Sequence, residues 1–434
     1  MKILLHGINF APELTGIGKY TGEMAAWLAA RGHTVRVVTA PPYYPDWKVG
    51  AGYSGTSWRR ERWQGVEVWR CPLWVPAQPG GARRLLHLAS FALGSLPVML
   101  RQIVWRPDVV WVVEPALFCA PAALGVARLG GARAWLHVQD FEVDAAFDLG
   151  LLRGKFLRGL VAGAERWLMR RFDVVSTISQ RMHQRLLDKG VAPGSAVLAP
   201  NWVDVSAITP GGDGLPRCAR NDGSGSGSRS CNCDDGFRAE LGIAPDAVVA
   251  LYSGNMGGKQ GLELLADVAK LCLAQSGHAQ PAIVFVFCGN GAGRADLVQR
   301  CTGLPNVHFL ELQPMARLNE LLAMADVHLL PQRADAADLV MPSKLTGMLA
   351  SGRPVLATAQ PGTELASVVR GCGVVVPPEN PLAMAEAMLA LAADAALRHQ
   401  LGTAGRDYAL AHLDRDAVLR QFEAALMALV PFKN

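Results

Sequence analysis

Residues 2–39, KILLHGINFAPELTGIGKYTGEMAAWLAARGHTVRVVT, predict a strand, a helix and a second strand in succession. The apolar run 2–8 is typical of a buried strand, 19–30 has amphipathic helical spacing, and 34–39 follows Gly32, which ends the helix. Two parallel strands joined by a helix are the unit of sheets covered by helices on both faces. The opening of the chain therefore favours an α/β fold.

The same alternation of strand and helix recurs in two series. The first series continues with strands that begin near Asp108, Ala134 and Asp173. The second series consists of predicted strands at 247–253, 282–287, 306–310, 326–330, 354–357 and 374–376. Each series predicts a doubly wound domain with a parallel sheet. Because such sheets bind ligands outside the carboxyl ends of their strands, we expect two domains that face each other across a cleft, with the site in that cleft.

Length and composition agree with two domains. The chain has 434 residues, half of them hydrophobic and 18% charged, which is too long for one core and excludes a disordered or fibrous protein. The predicted boundaries are 1–205 for the first domain, 206–240 for a linker, 241–412 for the second domain and 413–434 for a last helix that packs back across the boundary. Within the linker, residues 211–236 are rich in Gly and Ser and predict a surface insertion without chemistry.

Charge divides the two halves. Residues 1–205 carry 24 Lys and Arg against 15 Asp and Glu, whereas the remainder carries 18 against 22. All eleven Trp residues, from Trp27 to Trp202, lie in the first half. Basic surfaces with tryptophan attract anionic lipid headgroups. No recognised nucleic-acid-binding motif accompanies the charge, so we expect an anionic membrane surface and no nucleic acid as a partner.

Three segments support this membrane prediction. Residues 151–171 place apolar residues on one face of a helix and basic residues on the other. Residues 58–63 mix tryptophan with arginine, and the apolar stretch 85–100 is bracketed by Arg83, Arg84, Arg101 and Arg106. That stretch is expected to fall short of the ~20 apolar residues of a spanning helix. The alternative is that these are ordinary core-facing helices with a solvated basic side.

The first residues hold too few apolar positions for a signal peptide, so we expect a cytoplasmic protein, peripheral on the inner face of the cytoplasmic membrane. Nicotinamide binding is not expected, because Gly16 and Gly18 come late after the first strand and Thr39 replaces the acidic residue that holds the ribose. The nine cysteines form no CxxC pair, and Cys218, Cys231 and Cys233 lack a fourth ligand, so no metal is expected.

Seven short motifs follow one another along the chain: FAPELTGIGKY (10–20), HVQDFE (137–142), PNWVD (200–204), YSGNMG (252–257), QGLE (260–263), GNG (289–291) and MPSKL (341–345). In this order the chain resembles the family 4 retaining GT-B glycosyltransferases, in particular the branch of colanic acid (exopolysaccharide) biosynthesis fucosyltransferases. The resemblance covers nearly the whole chain outside 211–236. It implies an N-terminal acceptor-binding domain and a C-terminal domain that binds a nucleotide sugar as co-substrate, with no cofactor.

The donor site is predicted in the second domain. The segment 254–258 follows a strand and precedes a helix, so its amides and the helix's positive end are expected to face a diphosphate. The resemblance implies that Lys344 contacts this diphosphate, and its alternative is a solvated lysine at a helix start. The other predicted nucleotide-sugar contacts are Gly16, Gly18, Gly254, Asn255, Gly257, Lys259, Gly289, Asn290, Ser343 and Asp338.

Asp140 is the second catalytic candidate, because it follows a strand and is expected to hydrogen-bond the acceptor hydroxyl or the donor sugar. Its alternative is a helix cap. Glu13, His137 and Glu142 are the predicted acceptor contacts. The resemblance implies retention by front-face attack, in which the departing diphosphate itself helps to take the acceptor proton.

Several positions depart from the family pattern. Leu339 and Gly347 replace two glutamates, Asn255 and Gln260 replace Arg and Lys, and Gln139 replaces a histidine. We expect a hexosyltransferase, with fucose from GDP-fucose as the donor, acting on a lipid-linked oligosaccharide in colanic acid-like exopolysaccharide biosynthesis. The departures leave open a GT-B-fold sugar-nucleotide epimerase and a catalytically silent sugar-nucleotide-binding or assembly module.

Overall fold

The computed structural model describes residues 1–13, 16–77, 80–113, 116–141, 155–210, 236–257, 260–275, 281–334 and 342–430. The chain divides into two compact units. The N-terminal unit comprises Met1–Asn201 together with Asp416–Asn434, and the C-terminal unit comprises Trp202–Arg415. The chain thus leaves the first unit four residues before the boundary predicted at 205, and its last helix belongs to that first unit.

The N-terminal unit is built on an eight-stranded sheet in the order β3-β4-β2-β1-β5-β6-β7-β8. Its strands are β1 (Lys2–His6), β2 (Thr34–Thr39), β3 (Arg59–Trp63), β4 (Val66–Arg70), β5 (Val109–Val113), β6 (Arg133–Val138), β7 (Val174–Thr177) and β8 (Ala196–Leu198). All neighbouring strands are parallel except the edge pair of β3 and β4. Every residue of β5 is buried, as expected for a central strand with both faces covered.

The helices of this unit are α1 (Gly16–Ala30), α2 (Gly81–Trp105), α3 (Ala116–Gly130), α4 (Lys155–Met169), α5 (Gln180–Asp188) and α14 (Arg415–Leu429). Helix α3 contacts both α2 and α4. Helix α14 packs against the sheet, where Phe422 stacks on Trp111 with 4.0 Å between ring centroids. Buried Glu423 accepts hydrogen bonds from Arg31 and His33, which ties the end of the chain to this unit.

The C-terminal unit contains a fully parallel six-stranded sheet in the order β11-β10-β9-β12-β13-β14. Its strands are β9 (Val248–Ser253), β10 (Ile283–Cys288), β11 (Val307–Leu310), β12 (Val327–Leu330), β13 (Val355–Thr358) and β14 (Gly373–Val376). The chain runs from β9 outward to β11 and then returns to β12 on the other side of β9. The strand order therefore reverses between β9 and β12, which is where doubly wound sheets bind ligands.

The helices of the C-terminal unit are α6 (Gly236–Glu240), α7 (Glu263–Gln275), α8 (Arg294–Arg300), α9 (Leu318–Met324), α10 (Lys344–Ala350), α11 (Glu364–Arg370), α12 (Pro381–Ala393) and α13 (Ala395–His412). Aliphatic and aromatic side chains of β9, β10, α7 and α12 form one large core on one face of the sheet. A second core joins α10 and α11 to β13 on the other face. The sheet is thus covered on both faces.

Two sequence-based expectations about the membrane segments change. Residues 59–63 form the edge strand β3, and two of its arginines pair with glutamates, Arg59 with Glu61 at 3.5 Å and Arg60 with Glu67 at 3.1 Å. The expectation that the apolar stretch is too short is wrong, because α2 continues through Pro97 for 25 residues. Within the described part of the chain, α2 is the one helix long and apolar enough to cross a membrane by length and composition.

Candidate functional site

Two glycine loops are locked together at the carboxyl ends of β9 and β10. Gly254 and Gly289 have φ angles of +133° and +143°, a region that side chains rarely adopt. A Cβ atom on Gly289 would overlap the carbonyl oxygen of Gly254. The Gly254 N–H donates to the Cys288 carbonyl at 3.0 Å, and the Met256 N–H donates to the Asn290 carbonyl at 2.8 Å. These glycines allow the two loops to lie in backbone contact.

The loop amides are largely engaged within the unit. Besides the amides of Gly254 and Met256, the N–H of Gly257 donates to Oε1 of Gln260 at 2.9 Å. Gln260, which replaces the lysine of the family pattern, therefore stabilises the loop by accepting this hydrogen bond. Three of the amides expected to face a diphosphate thus have acceptors inside the protein, and the positive charge of the site depends on a side chain.

Lys344 supplies that charge. It begins α10, and its Nζ lies 2.9 Å from the hydroxyl of Tyr252 and 4.1 Å from the centre of the Tyr252 ring. A Cβ atom on Gly254 would lie 3.5 Å from the same Nζ, so the lysine extends across the glycine at the end of β9. The C-terminal unit therefore places a cation at the reversal in strand order.

Tyr252 holds this lysine from within the sheet. The tyrosine is fully buried on β9, and its hydroxyl donates to the backbone carbonyl of Asn255 at 2.6 Å while it accepts from Lys344. Burial raises the pKa of Tyr252, so the hydroxyl stays protonated and can donate. Burial also lowers the pKa of Lys344 to about 7. A diphosphate beside Nζ would favour the charged lysine, because an opposite charge stabilises the protonated form.

Sequence reasoning included Tyr252 in a motif but gave it no role. Tyr252 lies on β9 next to the last residue of the strand, and Gly254 is the first residue after the strand. The pairing with Lys344, 92 residues away, depends on the return of the chain to β12.

The other predicted donor residues are placed as follows. The Asn255 carbonyl accepts from Tyr252, and its side-chain oxygen borders Gly291. The Asn290 side chain is exposed beside this loop, and Ser343 is the exposed residue that precedes α10. Lys259 and Asp338 lie outside the described residues. Gly16 and Gly18 belong to the N-terminal unit and are described with it.

A cavity of about 340 Å³ opens at the start of α7, and it is lined by Gly261, Glu263, Leu264, Asp267, Gln332, Arg333, Glu379 and Pro381. Among the described residues that line the cavity, the one cation is Arg333, which pairs with Glu263 at 2.9 Å. Two further carboxylates make the lining acidic. An acidic cavity disfavours an anionic diphosphate, so Lys344 marks the better donor site.

In the N-terminal unit, Glu13 is a buried carboxylate that joins two loops. Its Oε1 accepts the backbone N–H groups of Tyr43 and Tyr44, each at 3.1 Å, and its Oε2 accepts from Asn9 at 2.9 Å. Burial raises the pKa of Glu13, and these hydrogen bonds oppose the shift. Gly18 packs directly over the carboxylate, since a Cβ atom there would lie 2.5 Å from Oε2 of Glu13. Glu13 thus links the loop after β1 to the loop after β2.

Tyr44 marks where several predicted residues converge. Burial, followed by the charges of Glu13 and Asp140, raises the pKa of Tyr44, whereas Arg84 at the start of α2 lowers it. Gly16 lies against its ring, because a Cβ atom there would be 3.8 Å from Cε1. Glu13 and Gly16 thus lie beside this tyrosine, and Asp140, which follows β6, is near enough for its charge to act on the Tyr44 hydroxyl. No motif pointed to Tyr44, since it occurs in an irregular loop.

His137 lies in a buried polar network at the end of β6. Its Nδ1 contacts the Ser176 hydroxyl at 2.8 Å, and its Nε2 contacts the Gln139 amide nitrogen at 2.9 Å. Gln139 in turn exchanges two hydrogen bonds with Asn201. Burial lowers the pKa of His137 to about 4, so the imidazole is neutral near pH 7. Both ring nitrogens are thus used within the unit. Glu142 lies outside the described residues.

Among the residues that the structure describes, no group of three or more His, Cys, Asp or Glu side chains is arranged to hold a metal ion. The six described cysteines are free and buried. A reaction that needs no metal remains a prediction. The described residues at both sites can orient substrates and supply charge.

Two doubly wound domains of this kind define the GT-B fold. The family described as "Glycosyl transferase 4-like domain" matches residues 15–202, and "Glycosyl transferases group 1" matches residues 247–394. The chain is 43% identical over 432 residues to WcaI of Escherichia coli (strain K12), named as a colanic acid biosynthesis glycosyl transferase, with 97% of this chain and 98% of the relative covered. The chain belongs to this glycosyltransferase family and is a nucleotide-sugar-dependent enzyme. The resemblance found in the seven motifs is confirmed.

Solved structures show the same fold. Sucrose-phosphate synthase from Thermosynechococcus elongatus superimposes with a TM-score of 0.71 at 18% identity, covering 98% of each chain. HepE of Anabaena, in complex with UDP and glucose, gives a TM-score of 0.67 at 14% identity, covering 99% of this chain and 100% of that one. Their low identity confines this similarity to the fold.

Proposed function

We propose that the protein transfers a hexose, with retention, from a nucleotide sugar to a lipid-linked oligosaccharide in the biosynthesis of a colanic acid-like exopolysaccharide. The observation that carries the proposal is Lys344, held by Tyr252 across Gly254 at the reversal in strand order. The relative named for colanic acid biosynthesis supports the pathway. Fucose from GDP-fucose is the donor that the motif resemblance implies.

The donor side of the reaction depends on Lys344. The bond between the sugar carbon and the diphosphate oxygen breaks, and negative charge grows on the departing diphosphate. A preorganised cation at that oxygen stabilises the transition state more than the ground state. Tyr252 fixes the direction of the ammonium group before the donor binds. Because Lys344 is partly desolvated, the donor gains a strong electrostatic contact where little water competes.

The acceptor side depends on the residues around Tyr44. The acceptor hydroxyl forms the new bond on the face that the diphosphate leaves, and its proton passes to a diphosphate oxygen. No protein nucleophile is then needed, and the protein supplies orientation. In this proposal Asp140 orients the acceptor hydroxyl or the sugar, while Glu13 and the His137–Gln139–Asn201 network hold the surrounding loops in place.

The proposal is tested with purified protein, a panel of GDP- and UDP-sugars including GDP-fucose, and a lipid-linked acceptor. We expect nucleotide release and a glycosylated lipid with one donor, and the α- or β-configuration of the product reports retention. Product analysis without acceptor detects an epimerase, which would convert the donor alone. The absence of nucleotide release with every donor contradicts the proposal.

The cellular location follows from the acceptor. A lipid-linked acceptor lies in a membrane, and the first 205 residues carry the excess of basic side chains. We therefore place the protein on the inner face of the cytoplasmic membrane, bound peripherally to anionic lipid.

A further inference from the structure

Helix α2 exposes a stripe of apolar side chains along most of its length. Leu86, Leu93, Pro97, Leu100 and Val104 fall within about 40° of one line along the helix at 100° per residue, and the line is about 27 Å long. The exposed fractions are 60% for Leu86, 70% for Leu93, 50% for Leu100 and 85% for Val104. Single exposed leucines are common in proteins, but a stripe of this length marks an interaction surface.

The opposite face of α2 is fixed in the fold. His87, Phe91, Ser95, Met99 and Gln102 are buried there. The Ser95 hydroxyl contacts Nε2 of His6 on β1 at 3.0 Å, and Gln102 accepts from Arg36 on β2 at 3.1 Å. A helix bound to a sheet by polar side chains does not cross a bilayer. It can only lie on one.

Two tryptophans border the stripe on one flank. The indole N–H of Trp58 donates to the Gly94 carbonyl at 2.9 Å, and the backbone N–H of Trp74 donates to the Ser90 hydroxyl at 3.0 Å. Trp58 is 55% exposed and Trp74 is 47% exposed. Tryptophan prefers the boundary between lipid headgroups and acyl chains, because its ring is apolar and its N–H is polar.

The ends of the stripe are basic. Arg83 in the first turn and Arg101 in the penultimate turn each lie about 60° from the line of the stripe, on the side of the two tryptophans, and both are exposed. Arg84 and Arg106 lie near the opposite side of the helix. Helix α2 contains no acidic residue. The surface is thus apolar along its centre, aromatic along one flank and cationic at both ends, which is the pattern of a helix that lies in an anionic membrane interface.

We propose that this face of α2, the membrane face, seats the protein on an anionic bilayer with the helix axis in the plane of the membrane. The inference rests on the proposed function, since it locates the bilayer that holds the lipid-linked acceptor. A second copy of the chain is a poorer occupant. In a two-fold contact the arginines at the ends of one α2 would meet those of the other, and like charges repel.

The first turns of α2 adjoin the acceptor residues through the side of the helix that faces the fold. At the first turns of α2, the His87 ring packs on Tyr43 with 4.8 Å between centroids, and Arg84 acts on Tyr44. Tyr43 and Tyr44 are the residues that Glu13 binds. A bilayer on the membrane face is therefore separated from the residues proposed to bind the acceptor by about the width of one helix.

The test compares two double variants of the full chain. Leu93→Glu with Leu100→Glu places two carboxylates on the membrane face. The control, Leu382→Glu with Leu410→Glu, changes leucines that are 58% and 48% exposed on helices of the C-terminal unit. Binding is measured by flotation with vesicles of phosphatidylglycerol and phosphatidylcholine, and with phosphatidylcholine alone. Thermal unfolding and calorimetric binding of GDP and UDP show whether each variant is folded and binds nucleotide.

We expect the membrane-face variant to lose vesicle affinity about tenfold or more while its nucleotide binding is unchanged. The control should bind vesicles as the unaltered protein does, and binding should weaken in phosphatidylcholine alone and in high salt. Equal vesicle binding by both variants overturns the inference. So does a dimer in gel filtration that only the membrane-face variant dissociates, because the stripe would then be a subunit contact. A failure of the proposed function would give a different result. Vesicle binding would remain, but no donor would release its nucleotide.

Discussion

The two units use the same doubly wound architecture, but their polar residues serve different purposes. In the C-terminal unit the buried tyrosine of β9 holds a lysine beside the glycine that follows the strand. In the N-terminal unit Glu13 and His137 are directed inward, where hydrogen bonds to neighbouring loops satisfy them. A charged side chain that is held in place without being neutralised is suited to bind a ligand. A side chain whose hydrogen bonds are all made within the protein is suited to position the surrounding loops.

The largest effect is expected at Lys344. Replacement by alanine removes the cation that faces the departing diphosphate, and loss of one such group lowers kcat by about 10²–10³. Steady-state kinetics with the best donor measures it. Lys270→Ala is the matched control, because that lysine is 49% exposed and pairs with Asp267 at 3.7 Å. Full activity in Lys344→Ala would support the silent binding module instead.

A smaller loss, about tenfold, is expected for Tyr252→Phe, since a hydrogen bond to a charged group contributes about 1.5 kcal/mol or more. The ring remains beneath the ammonium, but the hydroxyl that accepts from Lys344 and donates to Asn255 is lost. We expect donor KM to rise and stability to fall by about 1 kcal/mol, because the Asn255 carbonyl loses its donor. An equal loss of activity in the double variant Lys344→Ala/Tyr252→Phe and in Lys344→Ala would show that the tyrosine acts through the lysine.

The pH profile tests the charge directly. The pKa of Lys344 is lowered to about 7, so the free enzyme loses the active ammonium form as the pH rises through 7. We expect kcat/KM to fall by severalfold between about pH 7 and 8. In Lys344→Arg this decline should disappear, because guanidinium stays charged throughout the range. A decline that persists in the arginine variant assigns the titration to another group.

The sequence predicted the strands well where burial is uniform. The run 34–39 was predicted as a strand and forms β2 over the same residues, and five of the second-domain strands begin one residue later than predicted. Strands β3 and β4 were missed, because an edge hairpin with arginine and tryptophan on its open side resembles an amphipathic surface segment. Periodicity identifies strands by their buried face, and an edge strand lacks the full pattern.

The sequence predicts the glycines of the site, but it does not predict the contacts that the charged side chains make. A glycine after a strand indicates that backbone must approach closely there, and Gly254 and Gly289 do so. The partner of Lys344 was not predictable, since it depends on which strand lies beside β9. For Glu13, sequence could not distinguish a carboxylate aimed at a ligand from one aimed at two backbone amides, because both fit a loop after a strand.

The smallest effect on activity is expected at Glu13, and it decides how the N-terminal unit is interpreted. Glu13→Ala leaves the N–H groups of Tyr43 and Tyr44 without an acceptor, and each such buried group costs about 1–3 kcal/mol of stability. Glu13→Gln keeps one oxygen for these amides, and Asn9 can turn its own amide to accept from the new NH₂ group. We therefore expect urea unfolding to show a loss of stability for the alanine variant and little for the glutamine variant.

The glutamine variant then separates positioning from acceptor contact. If Glu13 only holds the loops, Glu13→Gln should keep transfer activity within about threefold, because the loops stay in place without the charge. The burial that raises the pKa of Glu13 already disfavours that charge. If the carboxylate instead contacts the acceptor, the stable glutamine variant would show a large rise in acceptor KM. That result would make the two units alike, each with a charged group aimed at its substrate, and the contrast between them would fail.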